Sequence, residues 1–88
     1  MRHARPEDLD RLEPLLEKLR RLDGMKEKSR GTFYRGSRAF LHFHEHEGGF
    51  FADVRLRLAE DFERLPATTA ADRTALIAAI REALKATL

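Results

Sequence analysis

The chain has 88 residues, 42% of them apolar and 36% charged, with 17 basic and 15 acidic side chains and a formal net charge of +2. That leaves room for one domain, residues 1–88, around a small core; it is too apolar for a disordered chain and too charged for a membrane span. Cysteine is absent, which excludes a disulfide scaffold, a thiolate zinc knuckle and a thiol nucleophile.

The N-terminal stretch Met1-Arg2-His3-Ala4-Arg5-Pro6 has basic residues but no apolar region behind it, and the longest apolar run is residues 75–80. Neither reads as an export signal or a spanning helix. The expectation is a cytoplasmic protein with no membrane partner. Arg, Ala and Leu are used heavily and Lys sparingly, as in GC-rich bacterial genomes.

Leucines at 9, 12, 15, 16, 19 and 22 recur at spacings of three and four and predict a helix over about 7–22. Glu7, Asp8 and Asp10 at its front and Lys18, Arg20 and Arg21 at its back match the helix dipole, and Gly24 follows as a candidate C′ residue. Pro14 conflicts with the pattern, since an interior proline removes a hydrogen bond and costs about 3 kcal/mol. One bent helix is expected, because Leu9 and Leu12 belong to the same stripe.

From residue 26 the period changes to two. Gly36-Ser37 and Gly48-Gly49 read as two-residue hairpin turns, giving a three-stranded antiparallel meander over about 27–35, 38–46 and 50–58. Residues 59–67 admit a loop, a helical turn or a short fourth strand ending at Pro66. Thr68, Thr69 and Asp72 resemble a capped start for a last helix over about 69–87, striped by Leu76, Ile77, Ile80, Leu84 and Leu88. The expected class is therefore α+β, two-layer: helix, three-stranded meander, helix, with both helices on one face of the sheet.

Register follows from parity, because paired residues share a face. A Gly48-Gly49 turn pairs Phe43 with Val54 and Leu41 with Leu56 on the core side. On the other side it pairs His44 with Asp53, His42 with Arg55, His46 with Phe51 and Phe40 with Arg57. In the first hairpin a two-residue turn sets Phe33 beside Phe40 and Tyr34 beside Ala39; a three-residue loop reverses Phe33 and Tyr34.

The outer face then holds Phe40, His42, His44, His46, Phe51, Asp53, Arg55 and Arg57. A solvated sheet face normally carries Thr, Lys, Glu and Ser, so this one reads as a binding surface. Three chemistries compete for it. In the His-x-His-x-His run His42 and His44 point the same way and can share a zinc or nickel ion, with Asp53 or His46 as further ligands. A His44–Asp53 pair with Arg55 has the parts of acid–base catalysis, but no cysteine and no serine in an elbow motif supplies a nucleophile, so the balance leans away from an enzyme. Residues 18–38 carry eight basic side chains against two acidic ones, which with exposed phenylalanines suits nucleic acid or another anionic ligand.

A bare sheet face with Phe40, Phe51 and, in one register, Phe33 is also an apolar patch through which two copies could pair. The leading expectation is a homodimeric binding domain that takes nucleic acid or an anionic ligand through His42, His44, Asp53, Arg55, Arg57, Phe40 and Phe51, with no obligatory cofactor. The alternative is a metal protein using His42, His44, Asp53 and His46.

The segment Thr32-Phe33-Tyr34-Arg35-Gly36-Ser37-Arg38-Ala39-Phe40-Leu41-His42-Phe43 resembles the hairpin of the MmcQ/YjbR-like small bacterial domains: a Phe, a Gly-containing turn, a basic residue and a second Phe. The resemblance covers about residues 26–58 and the plan of flanking helices. It implies a frataxin-like α+β fold and a DNA-binding role; the His-x-His-x-His run departs from it.

Overall fold

The computed structural model describes residues 1–57 and 59–85. The expected place of Leu58 in a strand, and of residues 86–88 at the end of the last helix, lies outside them. In chain order the elements are β1 (Arg2–His3), α1 (Pro6–Arg20), β2 (Lys26–Ser29), β3 (Thr32–Arg35), β4 (Arg38–His46), β5 (Gly49–Val54), β6 (Glu63–Pro66) and α2 (Ala70–Lys85). The class is α+β, with two helices and one antiparallel sheet. The sheet has six strands rather than the three expected: β2-β3-β4-β5-β6 in order, with β1 paired to β4.

α1 runs through Pro14 as one element. The penalty of about 3 kcal/mol for an interior proline is offset by Leu12, Leu15, Leu16 and Leu19, all buried, each worth about 1.5–3 kcal/mol. The helix begins at Pro6, whose missing N–H is no loss at the first turn. The Arg5 backbone N–H donates to Asp8 Oδ2 at 2.9 Å, the returning half of a capping box. It ends at Arg20 with Arg21 as C-cap, so Gly24 belongs to the turn beyond and not to the cap. α2 opens with a full box: Asp72 N–H donates to Thr69 Oγ1 and Thr69 N–H to Asp72 Oδ2, both at 3.0 Å.

The single strand expected over 27–35 is two. It folds back at Arg30-Gly31, pairing Glu27 with Phe33 and Lys26 with Tyr34. Gly31 has φ +80°, a backbone conformation that favours glycine, and a Cβ there would lie 2.7 Å from Leu9 Cδ2, so that side-chain end would have to move aside.

In the first hairpin the two-residue turn holds: Arg35 pairs with Arg38 and Tyr34 with Ala39. Beyond it a β-bulge shifts the partner of Phe33 to Leu41. A bulge sets two consecutive residues against one on the neighbouring strand, which lets Phe40 and Leu41 both enter the core, each 0% exposed. Phe40 is therefore a core residue, and its expected place on the outer face is corrected. Phe33, at 1%, is buried as well.

The second hairpin turns at Glu47-Gly48, with φ +51° and +82°, the two positive values a type I′ turn needs. Glu45 Oε2 accepts from the Gly48 N–H at 2.8 Å. The turn thus lies one residue earlier than Gly48-Gly49, and every pair slips by two: His42 faces Asp53, His44 faces Phe51, Phe43 faces Ala52 and Leu41 faces Val54. Faces survive the slip because its size is even. The earlier turn also adds Phe50 to the ladder opposite Glu45, with its ring in the core.

β5 ends at Val54, short of the expected 58. The chain then turns, and β6 returns along β5, pairing Asp53 with Arg64 and Ala52 with Leu65. This is the fourth strand ending at Pro66. Leucines of α1, Leu76, Ile80 and Ala83 of α2, and Phe33, Phe40, Leu41, Phe43, Phe50, Ala52 and Val54 of the sheet form one apolar cluster. The helices thus share one side of the sheet with the core, and the histidines stand on the other. No helix among the described residues is long and apolar enough to cross a membrane.

Candidate metal centre

β3 pairs with β4 only over residues 38–41, and β5 occupies the opposite edge of β4. The remaining stretch of edge, at His44 and Glu45, is taken by β1: His3 pairs with His44 and Arg2 with Glu45. Ala4 N–H extends the ladder to the Phe43 carbonyl at 3.0 Å. Directly paired residues of an antiparallel ladder have Cβ atoms about 4.5–5.5 Å apart, so pairing by itself sets the His3 imidazole against that of His44. β1 is pinned from its other residue, since Arg2 reaches Asp8 at 2.6 Å and Glu45 at 3.3 Å.

His42 and His44 share a face as alternate residues of one strand. The result is a three-imidazole cluster with ring centroids 4.5 Å apart for His3–His44, 5.0 Å for His42–His44 and 5.7 Å for His3–His42. One nitrogen of each ring lies within 4.8 Å of the others. Two nitrogens on one tetrahedral zinc sit about 3.3 Å apart at Zn–N distances of 2.0–2.1 Å, a gap that small side-chain rotations close.

Asp53, 8% exposed, stands beneath this cluster. Its Oδ2 is 3.0 Å from His44 Nε2 and 3.4 Å from His42 Nε2. Arg64, opposite it on β6, grips both oxygens, Nε to Oδ1 at 2.7 Å and Nη2 to Oδ2 at 2.8 Å. That guanidinium holds the Asp53 carboxyl below the usual range. His44 Nε2 is buried, and its nearest partner is the Asp53 carboxylate at 3.0 Å. A buried ring nitrogen beside a carboxylate is a place for a proton or a metal cation. Burial, above all, holds the His42 and His44 imidazoles below the ordinary histidine value, with His3 and Arg64 pushing the same way against the opposing pull of Asp53. Both are therefore neutral at pH 7, the form that ligates metal.

The remaining residues of the expected surface have other partners. Phe62 packs edge-on against His42, ring centroids 4.9 Å apart, and Arg55 lies 4.3 Å over the Phe62 ring. Arg55 also donates to the carbonyls of Ala39 at 3.2 Å and Glu60 at 2.6 Å, so it clasps the loop onto the sheet. Arg57 is exposed and pairs with Glu60 at 3.3 Å. Phe51 is half-buried beside the cluster, opposite His44. His46, at the hairpin end, is exposed and 3.7 Å from Glu47; it is not among the three grouped imidazoles.

The basic block is partly spent on structure. Arg20 bridges Glu13 and Glu27, Arg30 bridges Asp10 and Glu13, and buried Arg35 donates to the Ala83 carbonyl. Met1 is the exposed large hydrophobic among the described residues; Phe40 and Phe33 are buried and Phe51 is half-buried, so the apolar patch expected from Phe40, Phe51 and, in one register, Phe33 is not exposed there.

His3, Phe62 and Arg64 are not among the expected site residues. His3 has no local signal, because a two-residue strand has no period. Arg64 was within reach: a fourth strand ending at Pro66 places it on the outer face, beside the last histidine-facing acid. Comparison of the chain with family models, curated proteins and solved structures returned no match. The class that fold and site define is thus a small α+β domain carrying a three-histidine cluster on its helix-free sheet face.

Proposed function

We propose that this domain binds a divalent transition-metal ion, zinc or nickel, through His3, His42 and His44. The observation that carries the reading is the convergence of three imidazoles from two strands to within 4.8 Å. Imidazole donors suit zinc, copper and nickel, and the absence of cysteine confines the donor set to nitrogen and carboxylate oxygen. Nucleic-acid or anion binding at the same face has less support, because the Arg55 guanidinium is engaged with the Ala39 and Glu60 carbonyls and the Phe62 ring, and Phe40 is buried.

The test is calorimetric and thermal titration of metal-stripped protein with zinc and with nickel. At a hundredfold excess over Kd, binding stabilises by about 2.7 kcal/mol, which raises the melting temperature by roughly 10–20 °C for a domain of this size. His3→Ala and His42→Ala should each abolish most of that shift. An unchanged melting curve and no heat with either ion at about a hundred micromolar, a level at which weak sites still load, would sink the proposal.

A further inference from the structure

We infer that Arg64 sets the affinity and exchange of this metal site, by holding Asp53 as a guanidinium pair and so withholding from the ion the carboxylate nearest the histidines. The inference rests on the metal-binding reading above. Among the described residues, Asp53 is the acid within 4 Å of His42 and His44, while Glu47 touches only His46. Its Oδ2 therefore lies where an ion bound between those rings would meet it. That same oxygen receives Arg64 Nη2 at 2.8 Å, and Oδ1 receives Nε at 2.7 Å. A bidentate guanidinium–carboxylate pair is among the stronger polar contacts, and arginine does not lose its proton. An entering ion must consequently either leave Asp53 aside and bind through three imidazoles, with an open position for water, or displace a permanent positive charge.

Arg64 is able to leave. Its side chain is 48% exposed against 11% for Asp53, and it stands on the edge strand β6. The pair thus works as a built-in competitor: a cation on the protein occupies the oxygen that would otherwise complete a set of three histidines and one aspartate. Such a site loads and releases its ion reversibly, as an exchange site does, and does not bury it as a closed structural one does.

Zinc competition against a chromophoric chelator, at pH 8 where histidine protonation plays no part, separates the possibilities. Arg64→Gln should bind zinc at least about tenfold tighter than the unaltered chain, the scale on which outer partners move metal affinity. Its cobalt(II) derivative should show an altered visible band as a carboxylate oxygen joins the imidazoles. Arg64→Lys, which keeps the charge, should stay near the unaltered chain, and adding Asp53→Asn to Arg64→Gln should cancel the gain. Equal or weaker binding by Arg64→Gln overturns the inference while leaving the metal site standing. Failure of both proteins to take zinc or cobalt removes the site and this inference together.

Discussion

His42 and His44 carry a charge relation that stability measurements can read. Both are held below the ordinary histidine value in the folded chain, mainly by burial. The unfolded chain therefore binds their protons first as pH falls. Stability is full above about pH 6.5, the unfolded value, and is lost progressively below it as the folded protein is forced to charge buried rings or unfold. Binding of the proposed metal would have the same sign, because protons compete for the same nitrogens. Thermal midpoints of the metal-stripped protein should fall steadily from pH 7 to pH 5. The slope should flatten in the doubly substituted His42→Gln, His44→Gln protein; a parallel slope there would assign the acid sensitivity elsewhere. The sequence made these two residues and Asp53 visible, since period-two alternation needs only counting. It could not show that Asp53 sits between both rings, because a one-residue displacement of the turn moved its partner from His44 to His42.

Elements show how local signals are overruled by contact. A run from 27 to 35 looks like one strand, yet the chain turns back at Gly31 with φ +80°, and the end of the Leu9 side chain on α1 lies in the space a Cβ would need. Gly31→Ala should cost about 1–3 kcal/mol, part from the left-handed backbone and part from the contact. Urea denaturation measures it, and combining it with Leu9→Ala should recover the contact part alone. If the two losses add without recovery, Leu9 is not what excludes the side chain. The bulge at Phe40 has the same character. Parity would leave that ring outside, and the apolar layer under α1 and α2 drew it in, because burying a phenylalanine outweighs one irregular rung in the ladder. The helices themselves were legible to within two residues at the ends described, as their stripes and boxes are local.

At the scale of the whole molecule a bound ion would act as a clasp. The histidines proposed to hold it lie at residue 3 and at residues 42 and 44, so it would tie the N-terminal strand to the middle of the sheet and close a long loop. A domain of this size has a small core and gains from such a staple. Without metal β1 is held by its two ladder positions and by Arg2 on Asp8 and Glu45. Zinc loading should therefore slow tryptic cleavage after Arg2 and amide exchange at residues 2–4, with both effects removed by a chelator. Cleavage at one rate with and without bound zinc would show that the ion does not secure this strand.

Composition and periodicity by themselves determined the class of fold, the two helices, the alternation that separates a core face from a histidine face, and the restriction of any metal site to nitrogen and oxygen donors. These are properties of short stretches, governed by backbone geometry that repeats every two or 3.6 residues. Tertiary structure alone decided that His3 joins His44 and that Phe40 turns inward. Each of those depends on which distant segment occupies a free strand edge or an unfilled volume, a competition among long-range contacts that leaves no periodic trace in the residues concerned.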